Sequence, residues 1–191
     1  MQNVSMTVVR VATRSDASAV AALAESTFRE TFAPTNTASD MDLHCQQAYG
    51  EQTQSAEIAN PRMQTLVAEA DGVLIGYAQV RWMDAPSCVQ AANPGEIYRL
   101  YVASAWHGKR VAAQLMARCL DVIAHQGCDI AWLGVWEHNP RAIAFYTKHG
   151  FEVVGEHTFT VGTDPQRDLI MSRRLRLTSE ERSPSPETSR A

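Results

Sequence analysis

Residues 132–151 read WLGVWEHNPRAIAFYTKHGF, and this stretch decides the fold expected for the chain. Residues 129–135, which run into it, are almost continuously apolar, as in a strand buried in the centre of a sheet. Asn139 is a favourable helix cap and Pro140 a favourable first helical residue, so a helix is predicted over residues 140–149. Gly150 then ends that helix. A buried strand that leads directly into a helix indicates an α/β arrangement.

A second unit of the same kind lies upstream. Residues 96–102 predict a strand, and residues 109–126 predict an amphipathic helix that Gly127 closes. The free N–H groups and the dipole at the start of such a helix favour phosphate binding. Gly108 allows close backbone approach, and Lys109 and Arg110 add positive charge. A strand, loop and helix with one glycine can equally be a simple connection, so both interpretations stay open on this pattern alone.

The remaining elements follow from periodicity and turn residues. Asp71-Gly72 between two apolar runs is a strong hairpin signal. Ser15 or Asp16 can cap a first helix that reaches about Glu30. Further strands are predicted over residues 7–12, 65–70, 73–82, 151–161 and 168–175, and short helices over 41–49 and 53–58. The order predicts one mixed α/β domain over residues 7–175, with about seven mostly antiparallel strands and helices on both faces. Residues 176–191 are expected to form a polar, disordered tail.

Composition narrows the class of protein. The chain has 191 residues, 45% of them hydrophobic, and a net charge of −4, which suits one ordinary globular domain rather than a nucleic-acid binder. No apolar run approaches the roughly 20 residues of a membrane span, and the N-terminus lacks a signal-peptide pattern. We therefore expect a cytoplasmic protein without membrane contact. The four cysteines show no metal-binding spacing, so reduced thiols and no metal are expected.

One extended motif resembles a known family. The pattern N-x-x-A-x-x-F-Y-x-K-x-G-F, together with the upstream strand, loop and helix, resembles the acetyl-CoA-binding half of the GNAT superfamily of N-acetyltransferases. It is formed by Asn139, Ala142, Phe145, Tyr146, Lys148, Gly150 and Phe151. The resemblance implies that the strands at 96–102 and 130–135 are a parallel central pair that splays apart. The pantetheine arm of acetyl-CoA then inserts between them.

The family's loop pattern is Arg or Gln, two residues, Gly, one residue, then Gly or Ala. His107, Arg110 and Ala112 occupy these three positions, so Arg110 departs from the expected glycine. If the position needs a left-handed backbone, Arg110 costs roughly 1 kcal/mol; otherwise its guanidinium could hold a phosphate. The acetyl-CoA-binding residues implied by the resemblance are Leu100, Tyr101, Val102, His107, Gly108, Lys109, Arg110, Val111, Ala112, Asn139, Tyr146 and Lys148.

Acyl transfer to an amine needs a proton acceptor and a proton donor. The resemblance implies that Tyr146 protonates the departing thiolate after direct attack through a tetrahedral intermediate. Alkyl ammonium groups titrate near pH ~10, so the amine must also lose a proton. Glu96 is predicted as the base, with Glu30, Glu137 and a water relay as alternatives. The alternative for each glutamate is a charged surface residue without a catalytic role.

Two segments, residues 27–32 and the run from 132–137 through 151–171, resemble the PaiA-type spermine/spermidine acetyltransferases. A polyamine is therefore the favoured small-molecule acceptor, with Phe28, Glu30 and Glu137 as substrate-binding residues. An elongated acidic slot could be lined by Glu30, Asp40, Asp42, Glu137 and Glu156. The alternatives are an amine-bearing toxin or antibiotic, a protein amine, and a non-catalytic acetyl-CoA-binding module. The resemblance also implies a homodimer formed through the C-terminal strands.

Overall fold

A seven-stranded mixed sheet in the order β1-β2-β3-β4-β5-β7-β6 forms the centre of the molecule. The computed structural model describes residues 6–82 and 85–175, so the predicted tail at 176–191 lies outside the described residues. The strands are β1 (Val8–Val11), β2 (Met63–Ala70), β3 (Val73–Arg81), β4 (Pro94–Val102), β5 (Ile130–Trp136), β6 (Glu152–Val161) and β7 (Asp164–Arg174). The helices are α1 (Ala17–Phe32), α2 (Ala38–Ala48), α3 (Glu51–Ala59), α4 (Val111–His125) and α5 (Pro140–Lys148).

The β4–β5 pair is parallel, and every other pairing in the sheet is antiparallel. Register between β4 and β5 runs only from Pro94 opposite Ile130 to Glu96 opposite Trp132. Beyond that point β4 stays paired with β3 and β5 with β7, so the two central strands diverge. This confirms the predicted mixed fold with its splayed parallel pair.

The β2–β3 hairpin forms where Asp71-Gly72 predicts it. Asp71 has φ 50° and Gly72 has φ 78°, the paired positive angles that a tight two-residue hairpin turn requires. The turn fixes the register of β2 against β3, from Ala70 opposite Val73 to Met63 opposite Arg81.

Several boundaries differ from the sequence prediction, and two of the differences have a clear physical cause. β7 begins at Asp164, four positions earlier than predicted, because Gly162-Thr163 alone make the turn and Pro165 pairs with Thr160 inside the strand. Pro is tolerated this close to a strand's first residue. α4 begins at Val111 rather than Lys109, because Arg110 has a left-handed backbone that cannot belong to the helix.

Apolar cores lie on both faces of the sheet. On one face, α4 packs its buried stripe of Leu115, Cys119 and Ile123 against the central strands. Gly95 on β4 lies directly under Ile123, and a side chain there would collide with it. On the other face, α1 and α2 enclose a second core that includes Phe28 and Met41. These two layers cover the central strands from both faces of the sheet.

The four cysteines are free, and only Cys88 is not fully buried. Within the described ranges, no helix combines the length and apolar character needed to cross a membrane.

Candidate active site

A cavity of about 510 Å³ opens where β4 and β5 diverge. Its volume falls within the roughly 300–1,000 Å³ typical of small-molecule sites. Residues 97–102 of β4 form one wall and residues 134–136 of β5 the other. Side chains from α1, α2 and α5 line its sides, so the gap in the sheet becomes a partly open channel.

One end of the cavity is closed by a hydrogen-bonded histidine. The Nε2 atom of His107 lies 2.8 Å from the carbonyl oxygen of Val102, and Arg141 lies 2.9 Å from its Nδ1 atom. A carbonyl only accepts and a guanidinium only donates, so these partners select the neutral tautomer with the proton on Nε2. His107 thereby joins the end of β4 to the start of α5.

The start of α4 leaves backbone N–H groups available beside this end. Arg110 occupies the cap position with φ 65° and ψ 4°, and its side chain caps nothing. Gln114 donates the first helical hydrogen bond, to Arg110, so the three N–H groups before it have no helical partner. Gly108 also has a positive φ of 78°, and Lys109 lies 4.6 Å from the centre of the Trp106 ring. The helix dipole makes this position favourable for an anion.

Tyr146 reaches the cavity from α5. The side chain of Asn139 accepts a hydrogen bond from the N–H of Ala142 at 3.1 Å, which fixes the first turn of that helix. Tyr146 lies two turns further on, packed edge-on against Phe145 and Phe151. Burial raises the pKa of the Tyr146 hydroxyl above its ordinary value, so it stays protonated at physiological pH.

The opposite end is an aromatic chamber on the α1 and α2 side. Phe28 stacks on His44 with ring centres 4.3 Å apart, and Phe32 lies 5.5 Å from Trp136. Burial and the charge of Arg99 lower the pKa of His44. The aromatic chamber is lined by Phe28, Phe32, His44, Tyr49, Trp136 and Phe159. Glu30 also borders the cavity but is exposed.

Arg99 forms part of the cavity wall, and its positive charge is balanced by Glu57, which lies outside that wall. Its guanidinium lies 2.8 Å from Glu57 and 2.7 Å from the side-chain oxygen of Gln79. It also lies 4.4 Å from the centre of the Tyr98 ring. Such a satisfied buried pair gives a firm wall rather than a free cation.

Asp168 of β7 is a cavity residue that the sequence did not single out. Its side chain is 13% exposed, and burial raises the pKa of its carboxyl to about 6. His157 of β6 lies beside it. No motif surrounds Asp168, and the cross-strand register that brings it to the cavity is not visible in the sequence.

Several predicted site residues line the cavity together: Phe28, Glu30, Leu100, Tyr101, Val102, His107, Ala112, Asn139 and Tyr146. Gly108, Lys109, Arg110 and Val111 lie at the α4 start, outside the cavity wall, and Lys148 is exposed in the last turn of α5.

The predicted base Glu96 does not lie on the cavity wall. It is buried and forms an ion pair with Arg81 across the β3–β4 ladder. Burial raises the pKa of Glu96, while Arg81 opposes that shift.

The other predicted acids are also engaged. Glu137 lies 3.0 Å from Arg167, which also holds Glu156 at 3.2 Å. Asp42 pairs with Arg29, and Asp40 accepts hydrogen bonds from Thr163. The described residues therefore do not form the elongated acidic slot.

Residues 22–151 match the acetyltransferase (GNAT) family. The chain belongs to that family. It is 35% identical over 166 residues to an uncharacterized N-acetyltransferase of Mycobacterium tuberculosis, covering 84% of this chain and 98% of that protein. These matches make the protein an acyl-CoA-dependent N-acetyltransferase, as its sequence motif predicted.

Solved structures share the fold of this GNAT protein. The PaiA N-acetyltransferase of Thermoplasma acidophilum in complex with coenzyme A has a TM-score of 0.72 at 20% identity, covering 89% of this chain and 99% of the other. The yncA protein of Salmonella typhimurium with its cofactor acetyl-CoA has a TM-score of 0.65 at 19% identity, covering 94% and 98%.

Proposed function

We propose that the protein transfers the acetyl group of acetyl-CoA to the primary amine of a small molecule. The observation that carries this proposal is the channel between β4 and β5, which connects the α4 start to the aromatic chamber past Tyr146. Direct attack by the amine on the thioester needs both substrates in one such channel. The family and the acetyl-CoA in the Salmonella structure support acetyl-CoA as the donor.

The donor end uses the backbone more than side chains. The pyrophosphate of acetyl-CoA binds at the free N–H groups of Val111 and Ala112, with Gly108, Lys109 and Arg110 around it. The pantetheine arm pairs with backbone groups of Leu100 and Val102, which face the gap, whereas the backbone of Tyr101 between them faces β3. Asn139 borders the same arm. Lys148 is exposed in the last turn of α5, so it contacts a phosphate of acetyl-CoA only outside the cavity.

Tyr146 is proposed as the acid. A thiolate of pKa ~8.5 leaves more readily when a proton reaches its sulfur as the C–S bond breaks. The hydroxyl of Tyr146 stays protonated because burial raises its pKa, so it is always able to donate a hydrogen bond to that sulfur. It regains a proton from the nitrogen, which must lose one to become an amide.

The acceptor is proposed to be a short amine, with polyamines as the first class to test. The PaiA structure supports this choice by fold and name alone. The chamber has aromatic walls, which suit an ammonium group by cation–π attraction. Carboxylates reach the cavity only from Glu30 and Asp168 among the described residues, so one end of a polyamine fits better than its whole charged length.

We also propose a homodimer through β6. This strand ends the sheet, so one edge of its backbone has no partner strand among the described residues. Val153 and Val154 on it are 54% and 39% exposed. A mass of two chains by light scattering is expected, and a single-chain mass at micromolar concentration would refute it.

The experiment is release of free coenzyme A from acetyl-CoA with spermidine, 1,4-diaminobutane, tyramine, kanamycin or a peptide as acceptor. Release without an acceptor is subtracted as the control. Acceptor-dependent release by at least one small amine is expected. If acetyl-CoA raises the melting temperature but no amine stimulates release, the protein is a binding module and the proposed function fails.

A further inference from the structure

Asp168 stands at the junction of three strands beside the cavity. It lies opposite Trp136 on β5 and opposite His157 on β6. Its side chain borders the same cavity as Tyr101 and Tyr146. Burial raises the pKa of Tyr101, and the charge of Asp168 adds to that effect. A carboxylate of β7 therefore reaches the point where the central strands part.

Neither carboxylate oxygen of Asp168 accepts a hydrogen bond from a described residue. No described residue donates a hydrogen bond to Oδ1, although that atom is buried. Oδ2 lies 4.0 Å from Nε2 of His157, beyond hydrogen-bonding distance, and Nε2 is likewise without a partner. By contrast, Asp129 accepts N–H groups from Ala92 and Asn93. Carboxylates this deep in a protein normally have hydrogen-bond partners, so the unpartnered carboxylate of Asp168 indicates that a ligand completes it at Oδ2, the oxygen that is not sealed from the cavity.

Gly134 keeps space open beside this carboxylate. A Cβ atom at that position would stand 2.9 Å from Nε2 of His157 and 3.5 Å from Oδ2 of Asp168. Any side chain there would fill the volume between the pair and the cavity. The glycine lies on β5, one of the two strands that diverge, so this space joins the channel.

The neighbouring acids do not compete for this role. Glu96 is neutralised by Arg81, and Glu137 by Arg167. Of the two described carboxylates on the cavity wall, Asp168 is partly buried and Glu30 is exposed.

We propose that Asp168 binds the ammonium group of the acceptor and takes one of its protons, with His157 carrying that proton to solvent. This inference rests on the proposed function. The ammonium gives one proton to Asp168, and the free amine then forms a C–N bond with the thioester carbon. As the C–S bond breaks, the sulfur receives a proton from Tyr146, which takes the remaining excess proton from nitrogen. A water that bridges the 4.0 Å between Oδ2 and Nε2 then passes the proton to His157, whose side chain is 38% exposed to solvent.

The protonation state of Asp168 suits this task. Burial raises the pKa of its carboxyl to about 6, so the group is ionised at neutral pH and yet a better proton acceptor than an ordinary aspartate. The titratable groups that face it are His157 from β6 and Tyr101 from β4, with the exposed Glu30 from α1 on the same cavity. Its β5 neighbour Trp136 does not titrate.

The test compares Asp168→Asn with wild type, using the acceptor that wild type turns over best. Loss of the base is expected to lower kcat/KM about 10²–10⁴-fold at pH 7, with acetyl-CoA affinity unchanged. The loss is expected to shrink near pH 10, where solvent deprotonates the amine. The break near pH 6 in the wild-type profile is expected to be absent from the variant, whose activity follows the free-amine fraction throughout. Asp164→Asn, at the exposed start of β7, is the matched control and should retain wild-type kcat/KM.

Two outcomes separate the claims. If wild type acetylates an amine but Asp168→Asn stays within about 3-fold of it at every pH, Asp168 is not the base and the proposed function stands. If wild type acetylates nothing, both fail. Carbon-13 NMR of wild-type aspartate carboxyls gives a test that needs no variant. A carboxyl titrating near pH 6, and shifting lower when the acceptor binds, supports the proposal. Aspartates that all titrate near 4 and ignore the acceptor would overturn it.

Discussion

Arg141 and His107 form a clasp across one end of the cavity, with the guanidinium 2.9 Å from Nδ1 of the imidazole. His107 is held in turn by the carbonyl of Val102. The clasp links β4 to α5 and the loop before α4, the three elements that border the donor end. His107 stands where the family's loop pattern has Arg or Gln. Its polar side chain stabilises the loop through hydrogen bonds to Val102 and Arg141.

Removing the clasp should weaken donor binding. Arg141→Met keeps the length of the side chain but loses one hydrogen bond, usually worth about 0.5–1.5 kcal/mol. The dissociation constant for acetyl-CoA, measured by calorimetry, is expected to rise about 2–10-fold with little change in kcat. Arg118→Met on the exposed side of α4 is the control, since Arg118 makes only a loose 3.7 Å pair with Asp121. An equal rise in both variants would remove the clasp from the site.

Arg110 carries a backbone cost that glycine would relieve. Its φ of 65° is unfavourable for a residue with a Cβ atom. Arg110→Gly is therefore expected to raise the free energy of unfolding. The net gain is about 0.5–1 kcal/mol, because the larger conformational entropy that glycine gives the unfolded chain offsets part of the relieved strain. Arg110→Ala keeps the strain and should leave that free energy unchanged. Both variants lose the charge and should bind acetyl-CoA more weakly. Urea unfolding and calorimetry measure the two effects, and a stabilised Arg110→Ala would contradict this account.

Tyr146→Phe tests the acid directly. The ring packing with Phe145 and Phe151 survives, while the hydroxyl that donates to the sulfur is lost. We expect kcat to fall at least ~10-fold with acetyl-CoA affinity unchanged. Tyr77→Phe is the matched control, because the buried Tyr77 hydroxyl bonds no described residue and lies outside the cavity wall. Equal kcat in wild type and Tyr146→Phe would rule out the acid role.

The sequence predicted those features that local patterns determine. Asn139 with Pro140 marks the start of α5, and Asp71-Gly72 marks the β2–β3 turn, because caps and turns depend on adjacent residues. The environment of Glu96 could not be predicted in this way. Its pairing with Arg81 depends on the β3–β4 register, which no single segment encodes.

Asp168 was missed for the same reason. Its surroundings come from β5 and β6, and an isolated aspartate in a strand carries no motif. The four-residue error at the start of β7 also arose from non-local pairing, because Pro165 reads as a loop residue until Thr160 is placed opposite it.

Asp168 should also affect stability in a pH-dependent way. Its carboxyl has a pKa of about 6 in the folded protein against an ordinary value of 3.8, so charging it costs more in the folded state. Stability is therefore fully present below pH ~4 and lost as pH rises through 6. Asp168→Asn removes this loss, worth about 1–2 kcal/mol after allowing for solvent screening. Urea unfolding should show a more stable variant at pH 8 and no gain at pH 4. A variant less stable than wild type at pH 8 would argue against an uncompensated buried charge.

The central claim is acetyl transfer to a small amine in the channel between β4 and β5. The most direct measurement is mass spectrometry of the acceptor after incubation of the purified protein with acetyl-CoA and the amine panel. We expect a mono-acetylated amine to appear together with an equal amount of free coenzyme A, at a rate at least ~10-fold lower with Tyr146→Phe. If acetyl-CoA binds but no acetylated amine forms, or if Tyr146→Phe forms it at the wild-type rate, the account of this site is wrong.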